Sequence, residues 1–356
     1  INGKCMYKQN RFCSDVGIQY PIIQAPMAGV STPALAAAVS NAGGLGSLGI
    51  GASDVKSAKK LIEDTRLLTN KPFNVNVFCH EPVSRNDQVE RAWLAHLSPL
   101  FAELDEMVPE TLNEIYTSFI SSDDVFEMLV ETKPAVVSFH FGLPSDEKIH
   151  ALKKRGIYTL ATATNPDEAR LVEDSGINAI VAQGIEAGGH RGIFEPNTTD
   201  EKLTTSVLTR KLVAQGSLPI IAAGGIVDGT GIKAAMHLGA EAAQLGTAFI
   251  VCPESAASND YRAALTSERS LKTKLTSAIS GRPARGIVNR LICHGDSDKT
   301  VLPASYPVAY DAAKKLHSAA SKQGNFDFAA YWSGQGAPLK RALPAEDLVR
   351  QLLKEC

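Results

Sequence analysis

Short apolar runs alternate with polar-capped, helix-like segments through about the first 250 residues of this 356-residue chain. Eight of these runs are predicted as strands, at residues 20–25, 45–50, 73–78, 135–140, 157–162, 179–183, 218–223 and 242–250. Eight strand–helix units in about 250 residues are the number and the length of a closed parallel barrel. The sequence therefore predicts an α/β fold of the (β/α)8 TIM-barrel type.

A doubly wound parallel sheet is the main structural alternative, because strand–helix alternation does not show whether a sheet closes. One motif favours it. The segment GLGSLG at residues 44–49 matches GxGxxG, and Glu63 and Asp64 follow near the spacing of a ribose-binding acid. That fingerprint should lead from the end of a strand into a helix. Here the glycines follow a predicted helix and form the second predicted strand, so the dinucleotide site is the less favoured interpretation.

Two long segments do not follow the alternation. Residues 82–131 form a partly helical insertion, and residues 253–356 contain helix-like stretches separated by turn-rich segments. About a hundred residues are too many for a structureless tail. We predict a helical insertion and a C-terminal helical extension that together form a substrate or lid region (82–131 and 253–356). The barrel itself would comprise residues 1–81 and 132–252.

Composition excludes several classes of partner. The chain is 44% hydrophobic and 21% charged, with a net charge of -2. It has no Lys/Arg cluster and no apolar run near the roughly 18 residues of a membrane span, so neither nucleic acid nor membrane is predicted as a partner. Six cysteines without a CxxC pair favour reduced thiols, and residues 1–6 lack a signal-peptide core. We expect a cytoplasmic monomer or weak homodimer without a metal site.

The predicted strand ends carry amides, glycines, hydroxyls and histidines, but hardly any carboxylate or lysine. Active-site groups of such barrels come from the carboxyl ends of the strands. The stretch VAQGIEAGGHRG at residues 181–192 brings Gln183 and His190 there, and Asn76 ends the third strand. This lining suits a neutral, planar, hydrogen-bonding ligand. Internal hydrogen bonds are the structural alternative for Asn76 and Gln183.

A phosphate tail on that ligand is expected at the loops after the seventh and eighth strands, where backbone N–H groups and a helix N-terminus can face an anion. Gly224 and Gly225 lie on the first loop, and Gly246 and Thr247 on the second. Each pair also suits an ordinary strand-to-helix turn. The two pairs together favour a phosphate site.

Several motifs, in this order along the chain, resemble those of the nitronate monooxygenases, formerly called 2-nitropropane dioxygenases. They are QAPMAGVSTP at 24–33, NAGGLG at 41–46, PFNVN at 72–76, QGIEAGGHRG at 183–192, AAGGI at 222–226 and QLGT at 244–247. The segments VSFHFGLP at 137–144 and WSGQG at 332–336 resemble the first class of that family.

The resemblance implies FMN across the barrel mouth, with His190 as the catalytic base. Asn76 and Gln183 would hold polar groups of the flavin, while His140 and Tyr306 are weaker candidates for contacting the substrate. Residues implied to lie against the flavin ring or its phosphate are Met27, Ala28, Gly29, Gly188, Gly189, Gly224, Gly225, Gln244, Leu245, Gly246 and Thr247. No role is assigned to Glu186 or Arg191.

The implied reaction is oxidative denitrification, in which O₂ and an alkyl nitronate give a carbonyl compound and nitrite. It extends to nitroalkanes if His190 removes the acidic α-proton. One alternative on the same barrel is an NAD(P)H-dependent quinone or enoyl reductase. Another is a flavin-free isomerase or lyase, which often needs a strand-end lysine or paired carboxylates that are not found here. A flavin-storage protein would have no use for a histidine at the ring edge.

Overall fold

The structure, a computed structural model, describes residues 10–356 and contains two β-sheets within that range. The strands are β1 (Ile22–Gln24), β2 (Gly46–Gly49), β3 (Phe73–Phe78), β4 (Val136–His140), β5 (Tyr158–Ala163), β6 (Ala179–Gln183), β7 (Gly189–His190), β8 (Ile220–Ala223), β9 (Ala242–Leu245), β10 (Thr273–Thr276) and β11 (Ala284–Ile287).

The helices surround the larger sheet and cover one side of its mouth. They are α1 (Arg11–Val16), α2 (Pro33–Asn41), α3 (Val55–Leu68), α4 (Asp87–Glu103), α5 (Asp123–Thr132), α6 (Asp146–Lys154), α7 (Pro166–Asp174), α8 (Thr205–Gln215), α9 (Gly229–His237), α10 (Thr247–Ile250), α11 (Asn259–Thr266), α12 (Arg290–Gly295), α13 (Val308–Lys322) and α14 (Ala345–Glu355). Most begin at a Ser, Thr, Asn or Asp whose side chain accepts a hydrogen bond from the first turn, as the sequence predicted.

The larger sheet is a closed parallel barrel. Its eight strands pair in the order β1-β9-β8-β6-β5-β4-β3-β2. The two ends of this order meet at Leu45, whose amide donates to the Ile22 carbonyl at 2.9 Å and whose carbonyl accepts from the Gln24 amide at 3.0 Å. The predicted barrel is confirmed, and the doubly wound sheet is excluded.

The glycines of the GxGxxG match serve the packing of the barrel. Gly46 opens β2 directly after α2, and a Cβ atom there would lie 1.9 Å from the carbonyl oxygen of Ala36. Glycine is therefore required because the strand and the helix approach so closely. The motif forms a strand and starts no helix, which agrees with the rejection of the dinucleotide site.

One predicted strand is too long. The eighth strand was expected over residues 242–250, but β9 ends at Leu245 and the short helix α10 follows after Gly246. Every residue of α10 is buried, so the apolar run continues from the strand into the helix. Periodicity does not separate a buried strand from a buried helical turn in so short a run.

The insertion and the extension share one apolar core. Trp93 and Phe101 of α4 pack in the same cluster as Leu291 of α12, Leu316 of α13 and Phe328. This cluster joins α4 of the insertion to α12 and α13 of the extension. The division of the chain into a barrel and a lid region stays a prediction.

The extension contains the helices α11 to α14, as predicted, and also two short strands that the sequence did not predict. Strands β10 and β11 pair antiparallel, and β11 also pairs with β7, with Ala284 opposite His190 and Arg285 opposite Gly189. The two strands are four residues each and lack a clear alternation. The pairing of β11 with β7 joins segments about a hundred residues apart in the chain, which no local pattern reveals.

The thiols form no cross-links where they are described. Cys13, Cys79 and Cys252 are buried free thiols, and Cys293 is an exposed one, while the prediction for Cys5 lies outside the described residues. Burial raises the pKa of the Cys13 thiol to about 11, which keeps it protonated. Within residues 10–356 no helix is both long enough and apolar enough to cross a bilayer.

Candidate active site

The carboxyl ends of the barrel strands and the extension enclose a cavity of about 550 Å³. This volume lies in the range of sites for small molecules and cofactors. The predicted site residues that line it are Met27, Ala28, Gly29, Asn76, His140, Gln183, Gly188, Gly189, His190, Gly224, Gly225, Gln244, Gly246, Thr247 and Tyr306.

Leu245 is the exception among the predicted site residues. It is fully buried and packs in an apolar cluster with Ile22 and Phe249, away from the cavity. Successive residues of a strand face opposite sides, so Gln244 can face the cavity while Leu245 faces the core. The placement of Leu245 in the binding site is therefore corrected.

His190 is held by three parts of the chain. Its carbonyl oxygen accepts hydrogen bonds from Nε2 of Gln183 at 3.0 Å and lies 3.2 Å from Nε2 of His140. The next amide, of Arg191, donates to the carbonyl of Pro283 at 2.8 Å. The backbone of this histidine is thus tied to the barrel on one side and to the extension on the other.

Aromatic rings surround the His190 imidazole. Its ring centroid lies 5.1 Å from that of Trp332, 5.4 Å from that of Tyr306 and 5.6 Å from that of Phe141. Burial lowers the pKa of His190 to about 3, and the neighbouring His140 and the positive charges near it act in the same direction. The imidazole is therefore neutral at neutral pH, as a proton acceptor must be.

The side chain of Gln183 is used mainly inside the protein. Its Oε1 accepts from the amide of Gly192 at 2.8 Å, while its Nε2 donates to the His190 carbonyl. Arg191 is fully buried, donates to the Gln183 carbonyl at 2.8 Å and forms an ion pair with Asp200 at 2.9 Å. These bonds brace the loop that carries His190. Gln183 therefore makes the internal hydrogen bonds that were the structural alternative for it in the sequence.

Asn76 and His140 are also engaged by neighbours. Nδ2 of Asn76 donates to Oγ of Ser138 at 2.9 Å. The His140 ring has Nδ1 3.1 Å from Oγ1 of Thr162, and its Nε2 faces the His190 carbonyl. Burial lowers the pKa of His140 to about 4. Both ring nitrogens of His140 have protein partners, which favours a structural role, and its contact with substrate stays a prediction.

One end of the cavity is built from backbone. Gly224 and Gly225 have φ of 127° and 70°, values that side-chain-bearing residues rarely adopt. A Cβ atom on Gly188 would lie 2.4 Å from the amide nitrogen of Gly334. That amide donates to Oγ1 of Thr247 at 3.0 Å, and α10 starts after Gly246 without a side-chain cap. Uncapped helix amides beside glycine loops suit an anion.

Carboxylates are kept out of this cavity. Its wall, within the described part of the chain, contains no Asp or Glu. The nearby Glu186 accepts instead from the amide of Thr205 and from its hydroxyl, both at 2.9 Å, at the first turn of α8. An anionic ligand group therefore meets backbone N–H groups without a competing negative charge.

Several cavity residues were missed by reasoning from strand ends, because they belong to the insertion and the extension. Tyr116, Tyr310, Lys314 and Trp332 line the cavity, and the Lys314 ammonium lies 4.8 Å from the Tyr116 ring centroid. The sequence contained one indication of them: Tyr310 and Lys314 are four residues apart and therefore lie on one face of α13. Only the fold shows that this face meets the barrel mouth.

Comparisons with known proteins agree with this architecture. A family model described as nitronate monooxygenase matches residues 10–355. A nitronate monooxygenase of Paraburkholderia phytofirmans is 55% identical over 340 residues, which cover 96% of this chain and 93% of the relative. A nitronate monooxygenase of Pseudomonas aeruginosa is 54% identical over 346 residues, covering 97% and 99%.

Solved structures point the same way. A nitroalkane oxidase from Streptomyces ansochromogenes superposes with a TM-score of 0.88 at 39% identity, covering 95% of this chain and 96% of the other. FabK from Thermotoga maritima has a TM-score of 0.73 at 29% identity, covering 98% and 96%. The match to the family model spans nearly the whole chain, and the chain therefore belongs to the nitronate monooxygenase family of oxidoreductases.

Proposed function

We propose that this chain binds FMN and oxidises alkyl nitronates with O₂ to carbonyl compounds and nitrite. The observation that carries the proposal is that one carboxylate-free cavity is lined both by the glycine loops and by the neutral imidazole of His190. The glycine loops suit the phosphate of a cofactor, and the imidazole suits a small reactive substrate. Family membership supplies the reaction class.

The fit to FMN is supported by the loop at residues 24–33. The Met27 amide donates to Oγ of Ser31 at 3.0 Å, and a Cβ atom on Gly49 would lie 2.8 Å from the Ala28 nitrogen. The loop is thus pressed against β2 and presents small residues to the cavity, where a flat ring system can lie. When bound, FMN would supply the one-electron redox chemistry between the nitronate and O₂.

The chain's own residues would hold the two parts of this ligand. The phosphate would be bound by backbone groups of the glycine loops, namely those of Gly188, Gly189, Gly224, Gly225, Gly246 and Thr247, with Gln244 beside them. Asn76 and Gln183 would face polar edges of the ring. Each side-chain amide would use the donors or acceptors that its internal hydrogen bonds leave free. Tyr306 has a buried hydroxyl without a partner among the described residues, and it lines the cavity. That hydroxyl is therefore available to a ligand.

His190 would act as the proton acceptor when the substrate is a neutral nitroalkane. The Cα–H bond breaks, the proton moves to the imidazole, and the electron pair passes into the nitro group. A base with so low a pKa is weak, because proton transfer is most efficient when the pKa of the base lies near the working pH. Nitronates need no such step. We therefore expect nitronates to be much better substrates than the parent nitroalkanes.

The test combines a spectrum with two assays. The purified protein is expected to show a flavin absorbance spectrum, to release FMN on denaturation, and to consume O₂ with propionate 3-nitronate while forming nitrite. NADH with a quinone is the control substrate pair. Protein that stays colourless after incubation with FMN would refute the cofactor. Rapid NADH oxidation without nitronate turnover would move the chain to the reductases.

A further inference from the structure

The Nε2 atom of His190 has a specific partner in the extension. It lies 2.8 Å from Oγ of Ser280, a residue with no exposed surface. The same hydroxyl oxygen lies 3.2 Å from the carbonyl oxygen of Arg282 and 3.4 Å from the Arg282 amide nitrogen. Three groups therefore share one serine hydroxyl.

The roles of these three groups follow from what a hydroxyl can do. It has one proton to donate and two lone pairs that accept. The Arg282 carbonyl can only accept and the Arg282 amide can only donate, so the hydroxyl proton goes to the carbonyl and one lone pair takes the amide. The remaining lone pair faces His190. The arrangement that satisfies all three neighbours has the proton of the imidazole on Nε2, donated to Ser280.

We infer that Ser280 is a positioning residue that holds neutral His190 in the Nε2–H tautomer and leaves the lone pair of Nδ1 for the proton of the substrate. This inference rests on the proposed role of His190 as the base. In the opposite tautomer, Nδ1 would carry the hydrogen and Nε2 would be occupied by Ser280. Neither nitrogen could then accept a proton from a ligand in the cavity.

The local backbone keeps Ser280 in this place. Gly281 has a φ of 87°, and a Cβ atom there would lie 2.3 Å from the Ala304 carbonyl oxygen. The turn is therefore wedged against the segment that leads to Tyr306. A few residues later Ala284 pairs with His190 across the small sheet. Ser280 lies in the turn that leads into β11, so the pairing of β11 with β7 holds this turn beside the histidine.

The contact also suits the protonated state of the reaction. When the Cα–H bond of a nitroalkane breaks, Nδ1 gains the proton and the electron pair remains on the nitronate product. Nε2 keeps its hydrogen and its bond to Ser280 throughout. The hydroxyl accepts before and after the transfer, so no rearrangement is needed. A neutral hydroxyl at Nε2 stabilises the imidazolium less than a carboxylate would, in agreement with the low pKa of His190.

The direct test is ¹⁵N NMR of the flavin-loaded protein labelled at its histidine rings, with His190→Asn used to assign the His190 signals. The two neutral tautomers differ in which ring nitrogen carries the hydrogen. The ¹⁵N chemical shifts of the two ring nitrogens and their couplings to ring hydrogens distinguish the tautomers. We expect Nε2 to be protonated and Nδ1 to be unprotonated at neutral pH. A protonated Nδ1 in the wild-type protein would overturn the inference.

Substitutions separate positioning from packing. Ser280→Ala should mix the two tautomers and lower kcat/KM for a nitroalkane roughly 10- to 100-fold, a part of what a general base contributes, with little change for the preformed nitronate. Ser280→Thr keeps the hydroxyl and should retain the tautomer. The control is Ser270→Ala, because Ser270 is also buried and its hydroxyl donates to the Ser267 carbonyl at 2.9 Å, outside the cavity.

The outcomes distinguish this inference from the proposed function. An unchanged tautomer in Ser280→Ala, or equal losses with nitroalkane and nitronate, would refute the positioning role. Absence of nitronate turnover in the wild-type protein would refute the proposed function, and the NMR reading would still decide the tautomer. If Ser280→Ala unfolds, Ser280→Thr and the wild-type spectrum keep the test decisive.

Discussion

The two ends of the cavity are built by different means. At the glycine end, the wall is backbone: a Cβ atom on Gly188 or Gly224 would clash with neighbouring protein atoms, and Gly224 and Gly225 have positive φ. At the other end, here called the ring end, His190 and Tyr306 lie among aromatic side chains from the insertion and the extension. The first end depends on missing side chains in short motifs, and the second depends on side chains that distant segments bring together. Substitutions should therefore fail differently at the two ends.

The largest effect is expected at the glycine end, from Gly188→Ala. The added Cβ would lie 2.4 Å from the Gly334 nitrogen and 2.5 Å from the Ser333 carbonyl carbon, and both are backbone atoms that cannot rotate away. The loop at 332–336 must then move off the barrel, at a cost of about 1–3 kcal/mol. We expect most of the bound flavin to be lost, as measured by the ratio of flavin to protein absorbance.

The control is Gly324→Ala, at a glycine with a φ of 69° and no atom within 4 Å of its Cβ position. This variant tests backbone strain alone and should cost about 1–2 kcal/mol without loss of flavin. Full flavin retention by Gly188→Ala would break the distinction between the two ends.

The next effect is catalytic and belongs to the ring end. His190→Asn removes the proposed proton acceptor and should lower kcat/KM for nitroethane by roughly 10²-fold or more. The preformed ethyl nitronate needs no proton removal, so its kcat/KM should change much less. The two values are obtained from oxygen uptake at one pH. Equal losses with both substrate forms would show that His190 is not the base.

Acid sensitivity provides a smaller effect. His80 is buried against Tyr306 and Phe141, and burial, with a contribution from Arg282, lowers its pKa to about 4. An unfolded histidine has a pKa of about 6.5, so between these values the unfolded chain binds more protons. The free energy of unfolding is therefore highest above about pH 6.5 and falls as the pH drops, by about 2 kcal/mol per such histidine at pH 5.

The measurement is urea unfolding at several pH values. His80→Gln should lose less stability than the wild-type protein between about pH 7.5 and pH 5. His140 and His190, whose pKa values are lowered by the same cause, keep the remaining pH dependence in that variant. Identical pH slopes for the two proteins would contradict the assignment of part of the acid sensitivity to His80.

The smallest effect is expected from Tyr306→Phe. The hydroxyl has no partner among the described residues, so its removal should change the free energy of unfolding by less than about 0.5 kcal/mol while raising KM about 3- to 10-fold. Tyr261→Phe is the contrast, because the Tyr261 hydroxyl donates to the Trp332 carbonyl. That variant should lose about 1 kcal/mol of stability. Chemical unfolding and steady-state kinetics measure both effects, and an unchanged KM in Tyr306→Phe would remove that hydroxyl from ligand binding.

Much of the barrel was predictable, because each strand and its capped helix follow from local patterns. The errors lie where a local sequence pattern is compatible with two structures. The run at 242–250 is buried throughout, and only the fold separates β9 from α10. Likewise Leu245 was grouped with Gln244 and Gly246, although strand alternation turns it to the core. Both errors come from treating a motif as one unit when its residues face different surroundings.

The sequence by itself determined the order of the elements and the separate glycine motifs, since these depend on residues close together in the chain, and eight strand–helix units favoured a closed barrel. Closure itself was decided by the hydrogen bonds between β1 and Leu45. Only the tertiary structure decided what surrounds His190. The contact between Ser280 and the imidazole joins positions 90 residues apart, and Tyr310 and Trp332 reach the cavity from the extension. Such contacts depend on how α13 and β11 pack over the barrel mouth. That packing results from the sum of many weak apolar contacts, and no single motif records it.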